Sequence, residues 1–420
     1  MSLLVIQELI PGPKRSLNVH GSQSLNAPEA SMTSYCSKRT VSIVPLLIFV
    51  STLLVFVHPR MARAIDIPRT QAGAERGSIQ QQIELGAAYL SGRGVPRDEK
   101  QAAYWYEKAA NAGDPGAQQQ IGYFYQAGLG VERDPARAVR WFERAVAGGL
   151  VSAKVNLGVA YVWGLGVRKD PAFAIQLFRE SAQKGSGLGA CYLGLMYYFG
   201  MGIPKDASEA RHWFEIGTKL HSISAKFDLA LLLSYEPDAN SRTQAVRLLR
   251  EASGAGVVAA KHQLGLAIIQ NPDLAHSSNE AVLLLNEAAA DGFWKSSVVL
   301  GILSRDGRGM AKDRKAAYYR FRIAALQGGE SANTMLANDL RTLSSELGQT
   351  QIKTLDQEAA KWVQKHNRPL EFVNLHGESS SMFPAYALQY PEEGMHAGKL
   401  LGTSDAGGTD DMPDLGKTLR

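Results

Sequence analysis

Cysteine is nearly absent from this chain: Cys36 and Cys191 are the only two in 420 residues. A disulfide framework needs pairs, and a structural zinc site needs three or four Cys or His ligands. Cys36 precedes the apolar segment described below, so Cys191 stands alone in the body and neither arrangement can form there. Its place within a repeating helical pattern reads as a small buried apolar residue. An excess of charge of one sign is also lacking. Forty-five Lys and Arg face 40 Asp and Glu, a net +5, and the two signs interleave without long like-charge runs. A solvated surface accounts for that balance, and nucleic acid is not indicated.

The recognisable catalytic signatures are missing as well. None of the nine histidines forms H-E-x-x-H or sits at ligand spacing from a cysteine, and His212 and His221 read as solvated or capping residues. No G-x-S-x-G elbow, P-loop or strand-borne G-x-G-x-x-G occurs. Carboxylates are plentiful but scattered, so no acid/base pair can be nominated. The expectation is a protein that is not an enzyme, with no catalytic, cofactor-binding or metal residues.

Long apolar runs are limited to one, Val41–Val57, interrupted by Ser42, Pro45, Ser51 and Thr52. Lys38 and Arg39 precede it and Met61-Ala62-Arg63-Ala64 follows. A basic n-region, an apolar h-region and an A-x-A site describe a secretory signal peptide cleaved after Ala64. A start at Met32 would give that signal ordinary length. The alternative is an uncleaved inner-membrane anchor through residues 41–57, although a span needs about 20 apolar residues. Either way the body is expected outside the cytoplasm, in the periplasm or otherwise exported. No lipobox cysteine follows the run.

What the chain does have is a period. Gly86, Gly122, Gly158 and Gly194 recur every 36 residues, continuing as Ala230, Gly265, Gly301 and Ala337 with a single step of 35. Ala102, Ala138, Ala174, Ala210, Ala245, Ala281 and Ala317 keep the same phase, slip included, and so does the series from Ala109 to Ala324. Three series sharing one slip define a repeat.

Each unit reads as two helices. Ala117–Tyr125 carries apolar residues at helical spacing and stops at Gly128-Leu129-Gly130, where glycine supplies the left-handed turn of a helix end. Asp134 then stands at an N-cap with Pro135 behind it, and Asp98, Asp170, Asp206 and Asp313 repeat the cap. A second helix follows, as in Ala138–Ala145. Small residues at one phase in both helices imply a close crossing, which a larger side chain would overpack at about 1–3 kcal/mol. Large residues such as Trp105-Tyr106, Trp141-Phe142 and Trp213-Phe214 are expected to fill the remaining core.

The run Leu85-Gly86-x-x-Tyr89-x-x-Gly92-x-Gly94-Val95, through Asp98 to Ala102-x-x-Trp105-Tyr106-x-Lys108-Ala109-Ala110-x-x-Gly113-Asp114, resembles the Sel1-like repeat, a relative of the tetratricopeptide repeat. The next three units keep the pattern and the seventh regains it at Leu300-Gly301 and Gly307-Arg308-Gly309. Units five and six lose the Gly-x-Gly turn, having Ser234-Tyr235-Glu236-Pro237 and Asn271-Pro272-Asp273 instead. Tetratricopeptide repeats themselves, at 34 residues and without that turn, fit less well.

The resemblance implies an all-α fold: a right-handed α-α solenoid of about seven 36-residue helix-turn-helix repeats with C-terminal capping helices. The expected organisation is a leader or anchor at 1–64, a linker at 65–78, repeats at 79–114, 115–150, 151–186, 187–221, 222–256, 257–292 and 293–328, capping helices at 329–366, and a disordered tail at 367–420. It also implies a scaffold, adaptor or regulator that binds a protein or peptide partner in the cell envelope. The expected face is the concave one, at the residue before each Leu-Gly pair: Glu84, Gln120, Asn156, Tyr192, Asp228, Gln263 and Val299. A solvated groove without a ligand is the plainer reading of that column. The alternative function is cell-wall or β-lactam binding or hydrolysis, as in cysteine-rich Sel1-like relatives. This chain departs from them in lacking a cysteine pair in each repeat.

Overall fold

A computed structural model describes residues 65–277 and 279–366. These residues form sixteen α-helices and one short 3₁₀ turn, with no strand among them. The expected signal or anchor at 1–64 and the expected tail at 367–420 lie outside the described residues. Helix α1, Ile67–Glu75, precedes seven helical hairpins. The first four are α2 Ile79–Ser91 with α3 Glu99–Asn111, α4 Pro115–Ala127 with α5 Pro135–Ala147, α6 Val151–Trp163 with α7 Pro171–Gln183, and α8 Gly187–Phe199 with α9 Ala207–Lys219. Then come α10 Ile223–Ser234 with α11 Ala239–Gly254, α12 Val258–Gln270 with α13 Glu280–Ala290, and α14 Trp294–Asp306 with the first half of α15, Arg314–Glu346. Helix α16, Gln349–His366, closes the array. Each helix packs on the next along the whole series. Within each unit the first helix is called A and the second B.

The helix ends follow from the capping chemistry in the sequence. Asp134 Oδ1 accepts from the Arg137 amide at 2.8 Å and Asp170 Oδ1 from Phe173 at 2.9 Å, satisfying donors that the first turn leaves orphaned. Asp98, Asp206 and Asp313 cap their helices B in the same way. Helices A of units two, four and five are capped by Asp114, Ser186 and Ser222, which the sequence reading did not single out.

The turn between A and B carries two glycines with separate duties. The first ends helix A in the left-handed region, as Gly128 does at φ 75°. The second lies against the previous unit: a Cβ on Gly130 would stand 2.2 Å from the Glu99 carbonyl, and one on Gly166 would stand 2.3 Å from the Pro135 carbonyl carbon. Units two, three and four are therefore each seated on the start of helix B in the preceding unit by an atom that is absent.

The repeated glycine of helix A also marks a close approach. A Cβ on Gly122, Gly158, Gly194 or Gly301 would lie 2.4–2.6 Å from the ring of Phe142, Phe178, Phe214 or Phe321 respectively. In units two and four the helix-B alanine carbonyl (Ala138, Ala210) stands 3.2 Å from the same point, so the two small-residue series meet at one crossing. Phe142, Phe178, Phe214 and Phe321 are all essentially inaccessible.

Two stretches differ from expectation. Residues 65–78 are not an extended linker: Asp66 caps α1, Pro68 sits in its first turn, and Ala74 packs beside Leu85 and Trp105. The helix covers the otherwise open apolar end of unit one, which a repeat array must shield. At the other end, Gly329 (φ 60°, ψ −136°) breaks α15, so its second half is an eighth helix A and α16 an eighth helix B. Tyr318 and Arg322 both reach Asp356 on α16, at 3.1 and 2.7 Å.

Candidate interaction face

Helices A of successive units touch one another directly in the middle of the array. Polar pairs span these junctions. Gln119 Nε2 donates to Asn156 Oδ1 at 2.9 Å while Ser152 Oγ donates to Gln119 Oε1 at 3.0 Å, joining units two and three. Two units on, the Cys191 thiol donates to Asp228 Oδ2 at 3.1 Å, at the same two positions of the repeat. Between units six and seven, His262 Nδ1 and Ser296 Oγ are 2.9 Å apart. Burial pushes His262 down to about 3, with the Lys295 ammonium adding to the effect, so the ring is neutral.

These pairs revise the expected binding column. Glu84 is exposed, and Gln120 and Gln263 are half-buried. Asn156, Tyr192 and Asp228, however, are 2 %, 1 % and 1 % accessible, and Val299 is buried too. The cause is the close spacing of helices A. At that spacing Asn156 and Asp228 reach Gln119 and Cys191 on the preceding helix A, while Tyr192 is covered by helix B of the preceding unit. Tyr192 stacks on Phe178 with ring centres 5.1 Å apart and planes 16° apart. Asn156 and Asp228 thus join units instead of lining a solvated groove. Cys191 is buried, as expected, but makes a polar contact. The sequence could have signalled this, since Gln119/Asn156 and Cys191/Asp228 share one 37-residue separation.

Two further features stand near this face. Tyr123, on the same face of α4 as Gln120, is pushed up to about 12 by burial and then by the Glu99 carboxylate. An open cleft of about 710 Å³ lies between Arg97–Lys100 of unit one and Gly128–Glu132 of unit two. Its lining mixes both signs of charge, with Arg97 and Glu99 paired at 2.9 Å, and holds no histidine or nucleophile. Among the described residues, no group of three or more His, Cys, Asp or Glu could hold a metal ion.

A family model described as Sel1 repeat matches residues 82–114, 115–150, 151–186, 188–221 and 298–329. The chain carries five Sel1 repeats. The matches omit 222–297, where units five and six keep the hairpin but lack the Gly-x-Gly turn. Sel1 repeat proteins are commonly scaffolds for protein–protein interaction. Solved structures of similar chains include a Sel1 repeat protein from Oxalobacter formigenes, with 26 % identity over 65 % of this chain and 79 % of that one, TM-score 0.47. A protective antigen of uropathogenic Escherichia coli displaying an SLR fold is 24 % identical over 75 % of both chains, TM-score 0.39. A sel1 repeat protein from Klebsiella pneumoniae is 22 % identical over 48 % of this chain and 98 % of that one, TM-score 0.35. No curated protein matches the chain.

Proposed function

We propose that this Sel1 repeat protein is a non-catalytic interaction scaffold of the bacterial cell envelope. One observation carries the reading. The side chains that recur at 36-residue spacing are consumed in helix crossings, caps and unit-to-unit seats, while the accessible side chains differ from unit to unit. A constant frame with a varied surface is how a solenoid selects a protein or peptide, because each unit adds shape and none adds shared chemistry.

Glu84 and Gln120 are the members of the expected column that face solvent in the first two units, and we assign partner contact to them, with Gln263 further along. The envelope location rests on the apolar run and A-x-A site at residues 41–64, as a cleaved signal or as an anchor. No helix among the described residues is long and apolar enough to cross a membrane. The reading is tested by capture from envelope extract with the purified chain, followed by mass spectrometry. Recovery of a defined protein that falls at least tenfold with Glu84→Lys and Gln120→Lys supports it. Recovery of muropeptides alone would contradict it.

A further inference from the structure

The net charge of +5 is unevenly spread along the repeats. Unit seven, residues 293–328, holds eight Lys/Arg against two Asp/Glu. The third unit comes next with five against two, and unit six is acidic, with one against four. Much of the excess sits in the turn between α14 and α15, where residues 307–315 carry Arg308, Lys312, Arg314 and Lys315 against Asp313 alone. The same nine positions in units one to four total no more than +1.

Three of the eight cations are engaged inside the array. Arg305 pairs with Asp306 and Asp339, Arg314 with Glu346 at 2.9 Å, and Arg322 with Asp356 at 2.7 Å. Arg308, Lys312 and Lys315 are exposed and have no carboxylate partner among the described residues. The turn that bears them stands clear of unit six. A Cβ on Gly309 would meet nothing within 4 Å, whereas on Gly130, Gly166 or Gly202 it would lie 2.2–2.6 Å from the preceding unit.

Arg320 completes the set. It occupies the repeat position of Trp105, Trp141, Leu177, Trp213, Leu248 and Leu284, all apolar. In unit one, Trp105 clusters with Ala74 and Leu85, Ile67 packs alongside, and a Cβ on Gly94 would lie 3.2 Å from Ile67. The equivalents of Ile67, Ala74 and Leu85 at unit seven are Val282, Ala289 and Leu300, which also share one cluster. The residue in the indole's position there is an arginine. Arg320 and the turn therefore border one junction, between α13 and unit seven. Arg320 is half-buried, lies 5.8 Å from the Tyr319 ring and has no hydrogen bond or ion pair among the described residues. Burial holds its pKa below the ordinary arginine value, with Tyr319 opposing the effect. A charge taken out of water ordinarily has a partner, because its desolvation is otherwise uncompensated.

We propose that the junction between units six and seven binds an acidic segment of a partner protein, with one carboxylate on Arg320 and others on Arg308, Lys312 and Lys315. A guanidinium receives a carboxylate through two parallel hydrogen bonds. Leu283, next to Val282 and 53 % exposed, and half-buried Tyr319 offer apolar contact beside it. The patch suits a narrow ligand. Neighbouring packed helices are roughly 10 Å apart, so acidic unit six would repel an anionic membrane or duplex laid across the junction. The inference rests on the scaffold reading and adds to it a second surface with a defined partner chemistry.

The test is fluorescence anisotropy of the full chain at low salt with a labelled, end-blocked peptide of sequence EELEELEE. Binding is expected to weaken about tenfold in Arg308→Glu/Lys312→Glu and in Arg320→Leu. It is expected to stay unchanged in Arg140→Glu/Arg144→Glu, which reverses equally exposed charge on unit two. Arg320→Leu is also expected to melt above the parent, since it restores an apolar residue where the other units keep one. No peptide binding, equal weakening by the unit-two variant, or an Arg320→Leu protein that binds like the parent or melts below it would overturn the proposal. So would unit-seven-dependent retention on phosphatidylglycerol vesicles without peptide binding, which would assign the patch to lipid. The capture test at Glu84 and Gln120 fails or succeeds separately, because those residues lie in units one and two.

Discussion

The Phe178 ring occupies the position that a side chain on Gly158 would need: Cε1 lies 2.5 Å from where the Cβ would stand. The same relationship recurs with a Cβ on Gly122 at 2.6 Å from Phe142, on Gly194 at 2.6 Å from Phe214 and on Gly301 at 2.4 Å from Phe321. Glycine within a helix costs about 1 kcal/mol relative to alanine, so the ring contact has to outweigh that loss in every unit that keeps the pair.

Gly158→Ala is therefore expected to destabilise by about 1–3 kcal/mol despite the better helix propensity of alanine. Adding Phe178→Leu, which withdraws the ring, is expected to restore part of the loss. Urea unfolding of the two variants and the parent checks both statements. A Gly158→Ala protein at least as stable as the parent would show that the crossing is looser than described.

At the turn leaving helix B, Gly113, Gly149, Gly185, Gly256 and Gly292 all take positive φ, and unit four places His221 there at φ 62°. A β-carbon costs about 1–2 kcal/mol in that region. His221→Gly is expected to raise stability by about 1 kcal/mol, read as a shift of the urea midpoint to higher concentration. No shift, or a fall, would mean that the imidazole makes a compensating contact.

Asp228 and Glu84 hold equivalent places in the sequence repeat and opposite places in the structure. Asp228→Lys is expected to cost about 3 kcal/mol or more, because it leaves an uncompensated buried charge opposite Cys191. Glu84→Lys, on an exposed site, is expected to stay within about 0.5 kcal/mol of the parent. Thermal melts distinguish them, and equal melting of the two variants would contradict the burial of the column.

His262 gives the fold a dependence on pH. Its folded pKa of about 3 lies below the ordinary 6.5, so the unfolded chain takes up a proton that the folded chain refuses. Stability from this group is present above the ordinary value and is lost as pH falls, at about 1.4 kcal/mol per pH unit. Glu180 and Glu251 are held below the usual carboxylate range, first by hydrogen bonds from Lys154 and Lys226, so they titrate only in more acid solution. Between neutrality and about pH 5, His262→Gln is expected to flatten the stability profile. A variant with the same slope as the parent would place the titration elsewhere.

The frame was legible in the sequence because its determinants are local and repeated. Asp134-Pro135 caps a helix, Gly128-x-Gly130 ends one and seats the next, and each device appears several times at one phase. The linker reading of 65–78 failed because α1 is a single nine-residue helix without a repeat to reveal it. The face was harder to read. Whether the residue before Leu-Gly is open or covered depends on how closely neighbouring helices A approach. Glu84 and Asp228 differ in that respect, although both are acidic residues at the same position. Register predicts which side chains share a face, but the spacing between units decides which of them reach solvent.

Site-specific photo-crosslinking in living cells tests the central claim most directly, with a photoreactive residue placed at Gln120 on the helix-A face or at exposed Glu143 on helix B of the same unit. A defined protein adduct from position 120 and none from position 143 is the expected result. No adduct at position 120, or the same adduct from both positions, would contradict the assignment of partner binding to the helix-A face.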